Sequence, residues 1–241
     1  MKIYLFGRNS KNIEELVKKV GFEKVTSNPD VIISYGGDGT LLSSERKYPT
    51  VPKLPIRDSL ICKKCPEHED EIILRKLIEG KLKLKDYRKL ETEILYKKFY
   101  ALNDFVVRNS DPTHTIRFKM TVPGHPELDS GSKLLIGDGV VIATHFGSSG
   151  YFKSITGKTI NKDFALAFNN TTEKLTPVFL KDNDQVHFEL VRGKASFSFD
   201  NNPDIFIIDE GSQIIFKLSD QVAKIYEDTS LRCPNCHIIR G

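Results

Sequence analysis

The chain has 241 residues, with 36 Lys and Arg against 32 Asp and Glu, a net charge of +4, 39% hydrophobic residues and 28% charged ones. This composition excludes the disordered and fibrous classes, and no apolar run approaches the roughly 18 residues that a spanning helix needs. The length allows one large domain or two modest ones, each able to bury a core. The small positive excess suits a nucleotide phosphate as well as it suits RNA. Only a short apolar stretch precedes Arg8, which argues against a secretory signal, so a cytoplasmic protein with no membrane partner is expected.

In chain order, Lys2–Phe6 reads as an opening strand, and Ile13, Leu16, Val17 and Val20 then follow a helical rhythm that Asn12 can cap, with Glu15 three residues on. Val31–Tyr35 is β-branched and apolar, as a strand buried on both faces should be, and it runs straight into Gly36-Gly37-Asp38-Gly39-Thr40. A second helical pattern over 72–78 stops at Gly80, a plausible C-terminal cap. The first 90 residues therefore predict a small doubly wound α/β domain. The basic segment Arg75–Lys98 alternates its charges with Leu, Ile and Tyr. It reads as the solvated faces of a helix and a strand in preference to a nucleic-acid surface.

From about Leu90 the pattern changes to short strands punctuated by Asn, Asp, Gly and Pro: 101–107, 115–122, 140–144, 186–191, 196–199, 205–208 and 214–218. A second domain over 91–228, a sandwich or another β-rich fold, is expected. Phe197-Ser198-Phe199 alternates as a half-buried strand does and is assigned to core packing.

A glycine turn at the carboxyl end of a buried strand lets a phosphate chain approach backbone N–H groups, and the following helix offers its positive end to the same anion. Gly36, Gly37, Gly39 and Thr40 are the candidate phosphate-binding residues. An aspartate inside such a turn repels phosphate unless it holds Mg²⁺ or takes a proton from an attacking hydroxyl, and either role means phosphoryl transfer. Asp38 is the candidate base.

Two later segments, Leu102-Asn103-Asp104-Phe105-Val106-Val107 and the run from Gly137-Asp138-Gly139 through Thr144-His145-Phe146-Gly147-Ser148-Ser149-Gly150-Tyr151, follow in order. Together with the glycine turn they give a chain that resembles NAD kinases over roughly residues 1–225. The resemblance implies an N-terminal doubly wound α/β domain followed by a β-sandwich domain, with the active site in the cleft between them. It implies ATP with Mg²⁺ as the donor, NAD as the acceptor, and a homo-oligomer. Asp38 matches the family aspartate that activates the adenosine ribose 2′-hydroxyl. Asn103 and Asp104 match an Asn-Glu pair that contacts the dinucleotide, one methylene shorter here. Asp138 matches the acidic residue before the substrate loop, while Ser149, Gly150 and Tyr151 match that loop's polar, small and aromatic end. His145 lies in the same loop, and Asp200 falls where the family has an Asp-Gly pair, although Asn201 and Asn202 follow it here.

The departures are specific. His145-Phe146 replaces a Pro and a hydroxyl residue, Gly150 replaces an Ala, and Pro55-Ile56-Arg57-Asp58 stands where a glycine- and asparagine-containing loop is usual. Two further readings share these residues: phosphorylation of another ribose-bearing alcohol, such as a nucleoside or RNA, and a non-catalytic nucleotide-binding regulatory protein.

All four cysteines fall in Cys-x-x-Cys pairs, Cys62 with Cys65 and Cys233 with Cys236. This spacing predicts a structural Zn²⁺ site that brings the tail, residues 229–241, back to the first domain; disulfides and a redox pair are the alternatives. His68 and His237 are spare ligand candidates.

Overall fold

The computed structural model describes residues 1–58, 69–125, 128 and 133–227. It divides into two compact units, Met1–Tyr87 with the residues from Ala223 onward, and Arg88–Val222. The first unit is therefore discontinuous in sequence.

In the first unit, β1 (Lys2–Phe6), β2 (Glu23–Lys24), β3 (Val31–Tyr35) and β4 (Lys53–Ile56) run parallel in the order β2-β1-β3-β4. Between them lie α1 (Glu14–Val20) and α2 (Asp38–Lys47), and α3 (Asp70–Ile78) follows β4. Every residue of β3 is buried, as its unbroken apolar run requires of a strand covered on both sides. Val31, Ile33 and Tyr35 join Val17 of α1 and Ile73, Leu74 and Leu77 of α3 in one core cluster. Ser34, on the opposite face, meets Ser44 of α2 at 2.6 Å. Asn12 does not cap α1. It sits inside a 3₁₀ turn over Ser10–Ile13, so the helix opens later, with Ile13 at the capping position and no side-chain bond there. Gly21 closes α1 in the left-handed conformation.

The second unit is a β-sandwich. It contains β5 (Lys83–Ile94), which enters from the first unit, β6 (Lys97–Ala101), β7 (Asp104–Asn109), β8 (Ile116–Thr121), β9 (Leu135–Gly137), β10 (Gly139–Thr144), β11 (Phe164–Asn169), β12 (Val178–Leu180), β13 (Gln185–Arg192), β14 (Ala195–Phe199), β15 (Phe206–Ile208) and β16 (Gln213–Glu227). One antiparallel sheet has the order β12-β11-β10-β7-β14-β15; the other holds β16-β13-β8-β9, with the β5–β6 hairpin beside β16. Between the sheets Phe105, Phe118, Phe188, Phe197 and Phe216 are fully buried, and Phe99 meets Phe197, Phe199 and Phe206 edge-on. The Phe197–Phe199 run is thus core.

Strand β10 is buried along its whole length for a period-two reason. Val140 and Ile142 face the sandwich core, while Val141 and Ala143 face Phe152 of a short helix over Tyr151–Thr156. The segment expected as one strand over 101–107 is two, β6 and β7, broken at Leu102-Asn103 because those amides bond to a side chain instead of a neighbouring strand. No helix among the described residues is long and apolar enough to cross a membrane.

The last residues of β16 belong to the first unit. There Ile225 pairs in parallel with Lys53 of β4, Tyr226 packs on the α/β core, and the Tyr87 hydroxyl bonds to Glu227.

Candidate active site

At the carboxyl ends of β1, β3 and β4 the first unit gathers three short loops, which is where open parallel sheets hold their ligands. The chain reverses its strand order between β1 and β3, and the glycine turn lies there. A Cβ on Gly36 would stand 2.3 Å from Thr40 Oγ1, so only glycine lets the threonine fold beneath the turn. Gly36 also donates its amide to Ile56 O at 2.8 Å, tying the turn to the end of β4. Nothing lies within 4 Å of a Cβ placed on Gly37, which leaves the approach to the turn open. Thr40 and Leu41 donate their amides back to Gly37 O, and Gly39 continues the first turn of α2, whose positive end faces this edge.

Asp38 opens α2, its side chain 68% exposed and its Oδ1 3.5 Å from Arg57 Nη2. Next to Arg57, Asp58 accepts a bond from Asn9 Nδ2 at 2.7 Å, so side chains link all three loops. The far end of the helix is anchored internally. Glu45 and Lys53, both buried, form an ion pair, and Lys53 also donates to Tyr48 O just past the helix end. The buried pair does not stand out in the sequence. Arg57 stands out there only as a departure from the family's loop, and Lys53 reads as an ordinary solvated lysine.

In the second unit, Asp200 is 5% exposed, and its carboxylate accepts the amides of Leu102 at 2.6 Å, Asn103 at 2.7 Å and Asp104 at 3.4 Å. Thr144 locks the same segment from the other side: its Oγ1 donates to Leu102 O at 2.5 Å and its amide to Asn103 O at 2.9 Å. A Cβ on Gly147 would lie 2.3 Å from Asn103 O, so the loop after β10 closes on Asn103 only with glycine there. Asn103, Asp104 and Asp200 thus form one cluster. His145 is exposed at its edge, with Nδ1–H donating to Ile160 O at 2.9 Å. Ser149 and Gly150 are exposed at the end of a 3₁₀ turn.

Asp138 lies elsewhere. It precedes β10, and Thr144 ends it, so the two are six residues apart along an extended strand, roughly 20 Å at 3.3 Å per residue. Asp138 accepts from Asn170 Nδ2 at 2.8 Å, while the half-buried Tyr151 takes a bond on its hydroxyl from Asn169 Nδ2 at 3.3 Å. Asp138 and Tyr151 therefore share one end of β10 and β11, and Asn103, Asp104 and Asp200 share the other. Cys62, Cys65, Cys233 and Cys236, with His68 and His237, lie outside the described residues.

Burial pushes the carboxyl of Asp104 up to about 7, and the charge of Asp200 adds to the rise. Burial likewise raises Asp200 to about 6, against the three backbone amides and the charge of Lys89, which favour its ionised form. Both folded values exceed the ordinary carboxylate value of 3.8. The associated stability is complete below that ordinary value and is lost as pH rises through about 6 and about 7. The melting midpoint of the parent is thus expected to fall between about pH 4 and about pH 7, and Asp104→Asn to flatten that fall. A parent midpoint that stays level or rises over this window would show that the pair does not titrate in this way.

No protein-family model matches the chain. It is similar to the NAD kinase of Sulfurisphaera tokodaii, 30% identical over 173 residues that cover 68% of this chain and 66% of that one, just under two thirds of the relative's length. It is also similar to the NAD kinase of Aquifex aeolicus, 25% identical over 93% of both chains. The fold matches an NAD kinase from Archaeoglobus fulgidus in complex with ATP, with TM-score 0.78, 20% identity and 99% of both chains covered. It matches yeast NADH kinase complexed with NADH at TM-score 0.73, with 14% identity and coverage of 95% and 84%.

Proposed function

We propose that the chain, similar as it is to NAD kinases, transfers the terminal phosphoryl group of ATP to the adenosine ribose 2′-hydroxyl of NAD, giving NADP. The observation that carries this reading is Asp38: an exposed carboxylate on the first turn of α2, flanked by the glycine turn, at the carboxyl end of a buried parallel strand. There it takes the proton of the attacking hydroxyl while the oxygen bonds to the γ-phosphorus. The bond to the β,γ-bridging oxygen breaks, and ADP leaves with the electron pair. Little covalent chemistry falls to the protein in such a transfer, so positioning and electrostatics supply the rate.

Gly36, Gly37, Gly39 and Thr40 hold the phosphates in this scheme. Asn103 and Asp104 contact the acceptor, and Asp200, committed to three backbone amides, keeps that pair in place. The described residues contain no group of three or more side chains able to hold a metal ion. Mg²⁺ entering with ATP would supply neutralisation of phosphate charge. Purified protein with ATP is expected to convert NAD to NADP. Turnover of a nucleoside or tRNA with none of NAD or NADH would remove the NAD reading while leaving phosphoryl transfer in place. Size-exclusion chromatography with light scattering tests the homo-oligomer that belongs to the same proposal.

Tyr151 is assigned to stack on a base of the dinucleotide, a contact worth about 1–3 kcal/mol. Tyr151→Ala is then expected to raise the KM for NAD about 5- to 150-fold and to leave the KM for ATP nearly unchanged, because only one substrate loses binding. Equal rises in both constants would rule the stacking role out.

The two Cys-x-x-Cys pairs are assigned to one structural Zn²⁺ per chain. Elemental analysis of protein purified without chelator is expected to return about one zinc per chain. No metal together with no free thiols would mean disulfides instead.

A further inference from the structure

We propose that Arg57 is a catalytic residue of the phosphoryl transfer, its guanidinium moving from the carboxylate of Asp38 to the γ-phosphate of the donor. The proposal rests on the ATP-dependent reading above and concerns a residue that this reading leaves idle. Arg57 directly follows β4, in the segment Pro55-Ile56-Arg57-Asp58 that replaces the family's glycine- and asparagine-containing loop. Its Nη2 stands 3.5 Å from Asp38 Oδ1, with 30% of its side chain exposed. Asp58, the next residue, is held to Asn9 at 2.7 Å. The loop is thereby fixed across the ends of the parallel strands, and the guanidinium reaches the glycine turn.

Charge decides which partner Arg57 keeps. A carboxylate as exposed as Asp38 repels an incoming triphosphate, and a cation beside it offsets that repulsion. A terminal phosphate carries more charge than a carboxylate and presents oxygens that the planar guanidinium fork engages through two bonds at once. Phosphate binding therefore draws Arg57 across. The cation then faces the oxygens whose charge grows during transfer, while Asp38 takes the acceptor proton. Arg57 itself neither gains nor loses a proton, so the atoms and electrons of the step balance as described above.

The test compares the parent with Arg57→Ala and Arg57→Lys. The alanine variant is expected to lose at least about a hundredfold in kcat and to raise the KM for ATP, with the KM for NAD held within about threefold. Lysine should recover only part of the rate, because it restores the charge without the fork. Guanidinium ion added to solution should restore measurable turnover to the alanine variant and none to the lysine variant, an effect that a purely structural role does not produce. By calorimetry, Arg57→Ala should bind ATP at least about tenfold more weakly, while AMP, which lacks the terminal phosphate, binds as it does to the parent. This binding arm needs no acceptor. If the parent fails to phosphorylate NAD, the functional reading falls, and the ATP-against-AMP comparison still decides the role of Arg57. Unchanged ATP affinity, or turnover within about threefold of the parent, overturns the proposal. Arg57→Gln serves both arms if the alanine variant melts early.

Discussion

Asp38→Asn is expected to lower turnover at least about a hundredfold, the usual cost of losing a general base, while the protein melts at the parent's temperature. The two side chains are nearly isosteric, and the carboxylate is 68% exposed, so its replacement uncovers no core. The ion pair with Arg57 is lost, but a pair this exposed contributes little to stability. The amide cannot accept the hydroxyl proton, so the loss should fall on kcat, while the KM for ATP holds or falls because the carboxylate that competes for Arg57 has lost its charge. Kinetics and a melting curve on the same preparation check both halves. A variant that melts like the parent and turns over at a comparable rate would remove Asp38 as the base.

Lys53→Met is expected to do the opposite and cost stability first. Lys53 is 0% exposed and Glu45 is 2% exposed, and they form an ion pair inside the first unit. Removing one partner leaves the other charge buried, which costs about 3–5 kcal/mol. For a unit of this size the midpoint should drop by about 12–40 °C. Changing both residues, Glu45→Leu with Lys53→Met, should return most of that loss, since an apolar pair of similar volume often replaces a buried ion pair at little cost. Thermal melts of the two variants check this. If the single variant is as stable as the parent, the pair does not anchor α2.

The parts of the fold that local chemistry dictates were legible in the chain. The unbroken apolar run of β3 and its glycines predicted strand, turn and helix, and the alternation in β13, β14 and β16 predicted a β-rich second domain. Long-range partners account for what was missed. Nothing near Leu102 indicates that a strand should break there, because the acceptor of its amide is Asp200, 98 residues downstream. Nor does anything near Lys53 say that it is buried, since its carboxylate partner lies in the preceding helix. Asp138 is close to the substrate loop in sequence, but the intervening residues form an extended strand that carries it to the far end. Arg57 was visible as an anomaly, but its proximity to Asp38 follows from β3 and β4 being parallel neighbours.

The return of β16 to the first unit has a consequence for biosynthesis. A chain emerging from the ribosome exposes the glycine-turn unit up to Tyr87 long before Ala223–Glu227 have been made. Until then β4 lacks the neighbour that Ile225 provides, and its unpaired edge is open to other strands. The sandwich, by contrast, has all its residues once Val222 is out. The two units therefore finish in the reverse of their order in the gene, and a product stalled before residue 223 carries a complete sandwich and a parallel sheet whose β4 edge is unpaired.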